Sequence, residues 1–269
     1  MTFVHGSNLY AAFKHLDLYV DDYESMYQYL FEQVVTRWRT MITSATPPPA
    51  QHVRVYWYVV DAMDEWDIQS PRTRQYLLER FLDDREVKAR WFAEAHRQPM
   101  ARTSDPAAME QQAFALFSED LKTWYERRQN ILSGMDRFHH AVESSSDFIE
   151  VIRCGRWKID LLRKTITEKG LDVYSAVDMI GMRENYDVAI LVGGDSEGVP
   201  SLEYLKSWGK QVAVIELLRG FPPEARGKGY ASPLKQIADF VVPIYESELV
   251  RLQLAEKGDS DNLAYREAA

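Results

Sequence analysis

Acidic and polar side chains follow three of the segments that are typical of buried strands, at the point where each segment ends. The first group is His5 with Asn8, the second begins at Asp61, and the third contains Asp195 and Glu197. If the strands are parallel, their carboxyl ends meet at one edge of a sheet and these side chains converge in one cleft. Clustered carboxylates repel one another, and a hard cation such as Mg²⁺ or Mn²⁺ makes such a cluster stable. Metal-bound water would then be a candidate nucleophile for a phosphodiester.

A further acid, Asp178, lies in a helical segment that is entered through the residues KGLDV. The neighbouring positions Val173, Val177 and Ile180 are apolar. An acidic side chain in an apolar helix indicates a specific partner, so we add Asp178 to the candidate site. A solvated helix position is the alternative interpretation.

The other polar residues also have structural interpretations. Asp195 or Glu197 can cap the helix that follows them, because anions are favourable at a helix N-terminus. Asn8 can cap the first helix, and His5 can be an ordinary turn residue. The acids after the second strand can equally form a polar loop: Asp61, Asp64 and Glu65.

Composition and missing motifs exclude several classes of protein. The net charge of −9 excludes a basic protein that coats nucleic acid by charge alone. No phosphate-binding GxxxxGK[ST], dinucleotide-binding GxGxxG or zinc-binding HExxH pattern is present. The single cysteine, Cys154, rules out an internal disulfide. The sequence also shows no apolar leader and no membrane-spanning run. Together these features predict a cytoplasmic protein without a membrane partner.

The elements that must position the candidate site alternate between strand and helix. This order predicts an α/β fold, with a mostly parallel Rossmann-like sheet and helices on both faces. The predicted strands lie at 2–4, 53–60, 148–152, 188–192, 211–216 and 240–244. The predicted helices begin near residue 7 or 8 and cover 21–42, 158–167, 173–181 and 200–208.

Residues 71–146 change character and predict a helical hairpin inserted into this fold. Helical spacing runs from about 71 to 96 and from 106 to 142, where Pro106 suits the first position of a helix. The second helix carries Phe117, Leu121, Trp124 and Phe138, more apolar surface than one hairpin can bury. We expect it to pack on the sheet, with a homodimer through the insertion as the alternative. The chain is otherwise predicted to be one domain over 1–269 with a frayed tail at 257–269.

Three separated segments resemble the NYN domain family, a PIN-like branch of nucleases. The longest runs from Lys169 to Leu217 and contains KGLDV, an acid in the following helix, a strand ending in GGDSE and a GKQVAV strand. FVHGSNLY at 3–10 is similar to the opening motif of the family, and LKQIADFVVPI at 234–244 is similar to its closing strand. The resemblance covers about half of the chain, and the helical insertion lies outside it.

The resemblance implies a metal-dependent nuclease that acts on RNA, with Mg²⁺ or Mn²⁺ held by acids at the sheet edge. Asp178 and Asp195 match two acids of the family, and Glu197 stands where the family has another aspartate. Asn8 matches an asparagine that helps to orient the first acid or a phosphate. His5 stands where the family carries its first catalytic aspartate.

The histidine at position 5 replaces a negative charge with a softer, neutral ligand, which should weaken magnesium binding. Three interpretations remain open. Asp61 or Asp64 compensates for the missing acid, or the protein binds nucleic acid as a silent or regulatory module, or His5 was introduced to disable the site.

Basic residues cluster between 153 and 169, where six cations and two acids give a net charge of +4. Arg153, Arg156, Lys158 and Lys169 are therefore the candidate contacts to a phosphate backbone. A solvated helix face is the alternative interpretation. Trp157 could stack on a base, although packing is the commoner role of a buried tryptophan.

Overall fold

The computed structural model describes residues 1–42, 48–98, 105–193, 196–226 and 232–258. The chain divides into two compact units. The sheet unit comprises Met1–Asp61, Met135–Gly155 and Gly170–Ala269, and the helical unit comprises Ala62–Gly134 and Arg156–Lys169.

The described strands and helices alternate along much of the chain. The strands are β1 (Thr2–His5), β2 (Leu18–Tyr19), β3 (Val55–Met63), β4 (Ile149–Asp160), β5 (Thr165–Lys169), β6 (Val188–Val192), β7 (Gln211–Phe221), β8 (Glu224–Arg226), β9 (Phe240–Tyr245) and β10 (Glu256–Lys257). The helices are α1 (Gly6–Leu16), α2 (Tyr23–Arg39), α3 (Pro71–Asp83), α4 (Arg85–Arg97), α5 (Pro106–Ser145), α6 (Leu171–Gly181), α7 (Val199–Ser207), α8 (Ser232–Ile237) and α9 (Glu246–Arg251).

The sheet unit is built on a mostly parallel Rossmann-like sheet, which confirms the predicted α/β class. Its strands lie in the order β4, β3, β1, β6, β7, and β9 pairs with β7 on that side of the sheet. Strand β1 runs parallel to both β3 and β6, with His5 opposite Tyr58 and Val4 opposite Val192. Strand β3 therefore lies on one side of β1, and β6, which comes later in the chain, lies on the other side of β1. Such a change of direction opens a crevice at the carboxyl ends of the two central strands.

The central strands form because their residues are apolar on both faces. In β3 and β7 the side chains are buried with little alternation, as in parallel strands that are covered on both faces by helices. Helix α2 shows the predicted spacing of four, with Met26, Leu30 and Val34 buried. Asp22 caps this helix by accepting a hydrogen bond from the backbone N–H of Ser25 at 3.0 Å.

The described part of the helical unit contains three helices, which are α3, α4 and the first part of α5, and a β-hairpin. The predicted hairpin of two helices is therefore wrong. The segment 71–96 is not one helix, because Asp84 ends α3 and caps α4 by accepting from the backbone N–H groups of Glu86 and Val87. Phe117 and Leu121 are fully buried in the core of this unit. These two residues are buried inside the helical unit itself, so the expectation that they pack on the sheet is wrong. Phe138 of the same helix does pack on the sheet unit, with its ring centroid 6.0 Å from that of Tyr10 and 6.2 Å from that of Trp57. A dimer through the insertion stays a prediction.

The helix predicted over 158–167 is wrong. Strand β4 continues to Asp160, the chain turns, and β5 returns antiparallel with Arg156 opposite Lys169 and Lys158 opposite Thr167. The reason is the period of the pattern: exposed Arg156 and Lys158 alternate with less exposed Trp157 and Ile159, which is the spacing of a strand.

The C-terminal part of the described chain ends in β10, which pairs antiparallel with β2 through Glu256 opposite Tyr19. Most of the tail predicted at 257–269 lies outside the described residues. None of the described helices combines the length and the apolar character that a membrane-spanning segment needs.

Candidate functional site

The carboxyl end of β1 places His5 against the first turn of α6. The Nε2 atom of His5 lies 3.4 Å from Oδ1 of Asp172, and both side chains are mostly shielded from solvent. The hydrogen bond from His5 holds the pKa of Asp172 below its usual range. Asp172 is the acid of the KGLDV segment, and it was not among the predicted site residues.

Gly170 allows α6 to begin at this place. Its φ of +103° is a conformation that side chains rarely adopt, and an added Cβ would lie 3.1 Å from the carbonyl oxygen of Cys154. The glycine therefore lets the helix start close to β4, and Asp172 follows two residues later.

The end of β6 approaches the same place through Gly193. Its φ is +83°, and a Cβ there would lie 3.0 Å from Cβ of Asn8 and 3.2 Å from the carbonyl oxygen of His5. Glycine at this position thus lets the chain leave β6 beside two of the predicted site residues. Asp195 lies outside the described residues, and Glu197 is exposed in the short 3-10 helix that follows.

Asp178 contacts a tyrosine and not the other acids of the predicted metal site. Its Oδ2 accepts a hydrogen bond at 3.1 Å from the hydroxyl of Tyr58, which is fully buried on β3. Burial and the nearby Asp178 carboxylate raise the pKa of Tyr58, so the phenol stays protonated and donates. The apolar neighbours Val173 and Val177 are exposed, whereas Asp178 faces Tyr58 on β3.

The two acids proposed to compensate for His5 have separate environments. Asp61 is exposed in the sheet unit. Asp64 belongs to the helical unit, where its Oδ2 accepts from the backbone N–H of Ile159 at 3.1 Å and its Oδ1 lies 3.4 Å from Arg156. Asp64 thus holds the end of β4 in place.

A divalent cation requires several oxygen ligands in one place. Within the described ranges, no three His, Cys, Asp or Glu side chains form a group that could hold a metal ion. His5 and Asp172 come together, but Asp178 is bonded to Tyr58. The described residues therefore do not complete the predicted metal site.

The four predicted phosphate contacts separate into two groups. Arg153 contacts the carboxylates of Asp136 and Glu143, and it is mostly shielded. The other three lie on one exposed face of the hairpin formed by β4 and β5: Arg156, Lys158 and Lys169. Because Arg156 already lies 3.4 Å from Asp64, Lys158 and Lys169 are the two cations of this face that have no described carboxylate beside them.

Comparison with known proteins assigns no function to this chain. No model of a known protein family matches the chain. No curated protein matches it. A crystal structure of a Vibrio parahaemolyticus protein of unknown function matches over 91% of this chain and 92% of that one, with 15% sequence identity and a TM-score of 0.37.

Proposed function

We propose that this chain is a metal-dependent nuclease of the NYN type that favours RNA. The observation that carries the proposal is the meeting of β1 and β6 at the change of direction in the sheet, beside which His5 and Asn8 lie. Ligands of open parallel sheets bind at this kind of position. The resemblance of the segments around these strands to NYN nucleases supports the choice of a phosphodiester as substrate.

Mg²⁺ or Mn²⁺ enters the proposal through the resemblance, which assigns it to Asp178, Asp195 and Glu197. Because the described residues do not complete a metal site, we assign no catalytic step to the ion. Asn8 would orient a phosphate or a neighbouring acid, the role that the resemblance implies for it. Arg156, Lys158 and Lys169 supply the positive charge that an otherwise acidic protein needs to attract a nucleic acid.

A second candidate function is nucleic-acid binding without cleavage. The pairing of His5 with Asp172 favours it, because the position of the first family acid is occupied by a side chain that already holds a carboxylate. Such a protein would act as a regulatory or interaction module on the same fold.

A cleavage assay separates the two functions. Single-stranded RNA is incubated with the wild-type protein, His5→Asp and Asp195→Asn in Mn²⁺, in Mg²⁺ and in EDTA. The nuclease proposal expects metal-stimulated cleavage by the wild type and its loss in Asp195→Asn. Cleavage by His5→Asp alone would support the silent module, and absence of cleavage by all three proteins would overturn the nuclease proposal.

A further inference from the structure

The helical unit contains a cavity of about 490 Å³ that the proposed catalytic site does not use. Its wall combines aromatic rings with cations. Residues of the loop before α3, of α3 itself and of the hairpin line it: Trp66, Tyr76, Arg80, Lys158, Thr167 and Lys169.

Hydrogen bonds anchor the loop that carries Trp66. The backbone N–H of Trp66 donates to the hydroxyl of Tyr125 at 2.9 Å, and that hydroxyl donates to the carbonyl oxygen of Asp64 at 2.9 Å. Asp67 accepts from the backbone N–H of Ser70 at 3.1 Å and so closes the turn that leads into α3. The loop that carries Trp66 is therefore tied to α5 and to the start of α3.

Tyr76 presents the accessible ring of this wall. It stacks on Trp66 with ring centroids 5.8 Å apart and an interplanar angle of 14°. Arg80, one turn further along α3, places its guanidinium 5.9 Å from the centre of the Tyr76 ring. The Tyr76 residue remains 42% exposed, so part of its ring is open to a ligand that enters beside Arg80.

The charges around the cavity have the opposite sign to the chain as a whole. Arg80, Lys158 and Lys169 line it, against one acid, Asp160, whereas the chain carries a net charge of −9. None of these three cations lies within ion-pair distance of a carboxylate in the described part of the chain. The cavity thus offers unneutralised positive charge beside an aromatic surface.

We propose that this cavity binds one unpaired nucleotide of a single-stranded nucleic acid. The base stacks on Tyr76, and Arg80, Lys158 and Lys169 hold the flanking phosphates. Stacking on an aromatic ring accepts any base, and cations that track the backbone supply the affinity. The choice of a nucleic acid over another aromatic anion rests on the proposed function, whereas the binding site itself does not require cleavage.

Binding is measured by fluorescence anisotropy with a labelled single-stranded oligoadenylate in EDTA. Tyr76→Ala should weaken binding by about tenfold, the usual effect of losing one base-stacking contact. Tyr204→Ala is the matched control, because Tyr204 is also 42% exposed on a helix and packs beside a tryptophan, with its ring centroid 6.2 Å from that of Trp208. The control should bind as tightly as the wild type.

The salt dependence of binding tests the cations separately. Lys158→Gln should reduce the slope of log affinity against log salt by about 0.7, the value for one phosphate contact to a single strand. Tyr76→Ala should leave this slope unchanged, since stacking releases no counterion. Lys14→Gln, an exposed lysine of the sheet unit, should also leave it unchanged.

The inference is overturned if the oligoadenylate does not bind, or if Tyr76→Ala and Tyr204→Ala bind equally well. It is also overturned if adenosine monophosphate competes as strongly as the unlabelled oligomer, or if polyglutamate does so. If binding depends on Tyr76 but the protein never cleaves RNA, this binding site is supported and the nuclease proposal is rejected. Cleavage with no effect of Tyr76→Ala on binding would reject this site alone.

Discussion

The carboxyl end of β1 in the sheet unit and the cavity of the helical unit hold their charged side chains in opposite ways. At the carboxyl end of β1, Asp172 is bonded to His5, and further along α6 Asp178 is bonded to Tyr58. Around the cavity of the helical unit, Lys158 and Lys169 are exposed and have no ion-pair partner among the described carboxylates. Shielded carboxylates need partners to offset their lost hydration, whereas exposed cations keep their water.

This difference separates groups that stabilise the fold from groups that are available to a ligand. We expect changes at the partnered acids of the sheet unit to alter stability and its pH dependence. Changes at the exposed cations and at Tyr76 should alter binding while leaving the fold intact. Four further experiments test how far the two units differ.

The largest effect is expected from Phe117→Ala in the helical unit. Phe117 is fully buried, with its ring 5.4 Å from Phe81 and 6.0 Å from Trp91, so truncation should cost about 3–5 kcal/mol. Hydrogen exchange read by mass spectrometry should show lost protection in α3 to α5 of this unit and retained protection in β6.

Phe221→Ala is the control for this truncation, because Phe221 is 74% exposed and its loss should cost less than about 0.5 kcal/mol. Equal loss of protection in β6 and in the helical unit would show that the two units unfold together. The two units would then not differ in their stability.

Acid should destabilise the sheet unit first. His139 is buried there and its Nε2 lies 2.7 Å from the hydroxyl of Tyr10, and burial lowers its pKa to about 4. A histidine that is neutral in the fold and protonates near pH 6.5 when unfolded costs stability as the pH falls below 6.5. We expect a loss on the order of 3 kcal/mol between pH 6.5 and pH 4 in urea unfolding.

His139→Gln keeps a polar side chain at this place and removes the titration. Its stability should fall less steeply over the same pH range than that of the wild type. An identical slope in the two proteins would assign the acid sensitivity to other groups.

A smaller effect is expected at Asp64, which holds the hairpin of the helical unit. Asp64→Ala removes the acceptor for the backbone N–H of Ile159 and should cost about 1–3 kcal/mol. Asp64→Asn retains an oxygen acceptor and should cost less, because only the contact to Arg156 is weakened. Urea midpoints measure both costs, and equal losses in the two variants would contradict this role of the backbone hydrogen bond.

The smallest effect is expected from Asp172→Asn at pH 7, about 1 kcal/mol, the usual value of one hydrogen bond. Because the fold lowers the pKa of Asp172, its stabilisation is present above the ordinary carboxyl pKa near pH 4 and is lost as the pH falls below it. The unfolding free energies of wild type and variant, measured by urea unfolding, should therefore differ at pH 7 and approach each other as the pH falls below about 4. Glu203→Gln, at an exposed position of α7, should match the wild type throughout this pH range.

Much of the architecture follows from local patterns of the sequence. The apolar run of β3 and the spacing of four in α2 predict these elements because burial imposes the strand and helix periods on single segments. Helix α5 begins at the predicted Pro106, because proline lacks only an N–H that has no helical partner at the first position of a helix. The segment 158–167 also carried a local signal, the alternation of Lys158 and Ile159, which favours the observed strand over the helix predicted there.

The candidate site was predicted only in part. His5 and Asn8 lie near the end of β6 as expected, because parallel strands bring their carboxyl ends to one edge. Asp178 was predicted from its place in an apolar helix, yet Asp172 is the acid that reaches His5. The direction in which each acid faces depends on how α6 lies on the sheet, and no local pattern contains that information.

Composition and periodicity by themselves determined the α/β class, the approximate positions of the central strands and of the longer helices, and the group of polar residues at the strand ends. The tertiary structure decided which of them meet. His5 contacts Asp172, Tyr58 contacts Asp178, and the ring of Tyr76 joins Lys158 and Lys169 at one cavity. Hydrophobic periodicity is set by each segment alone, whereas these contacts join residues distant in sequence and exist only once strand order, helix rotation and the hairpin turn are all in place.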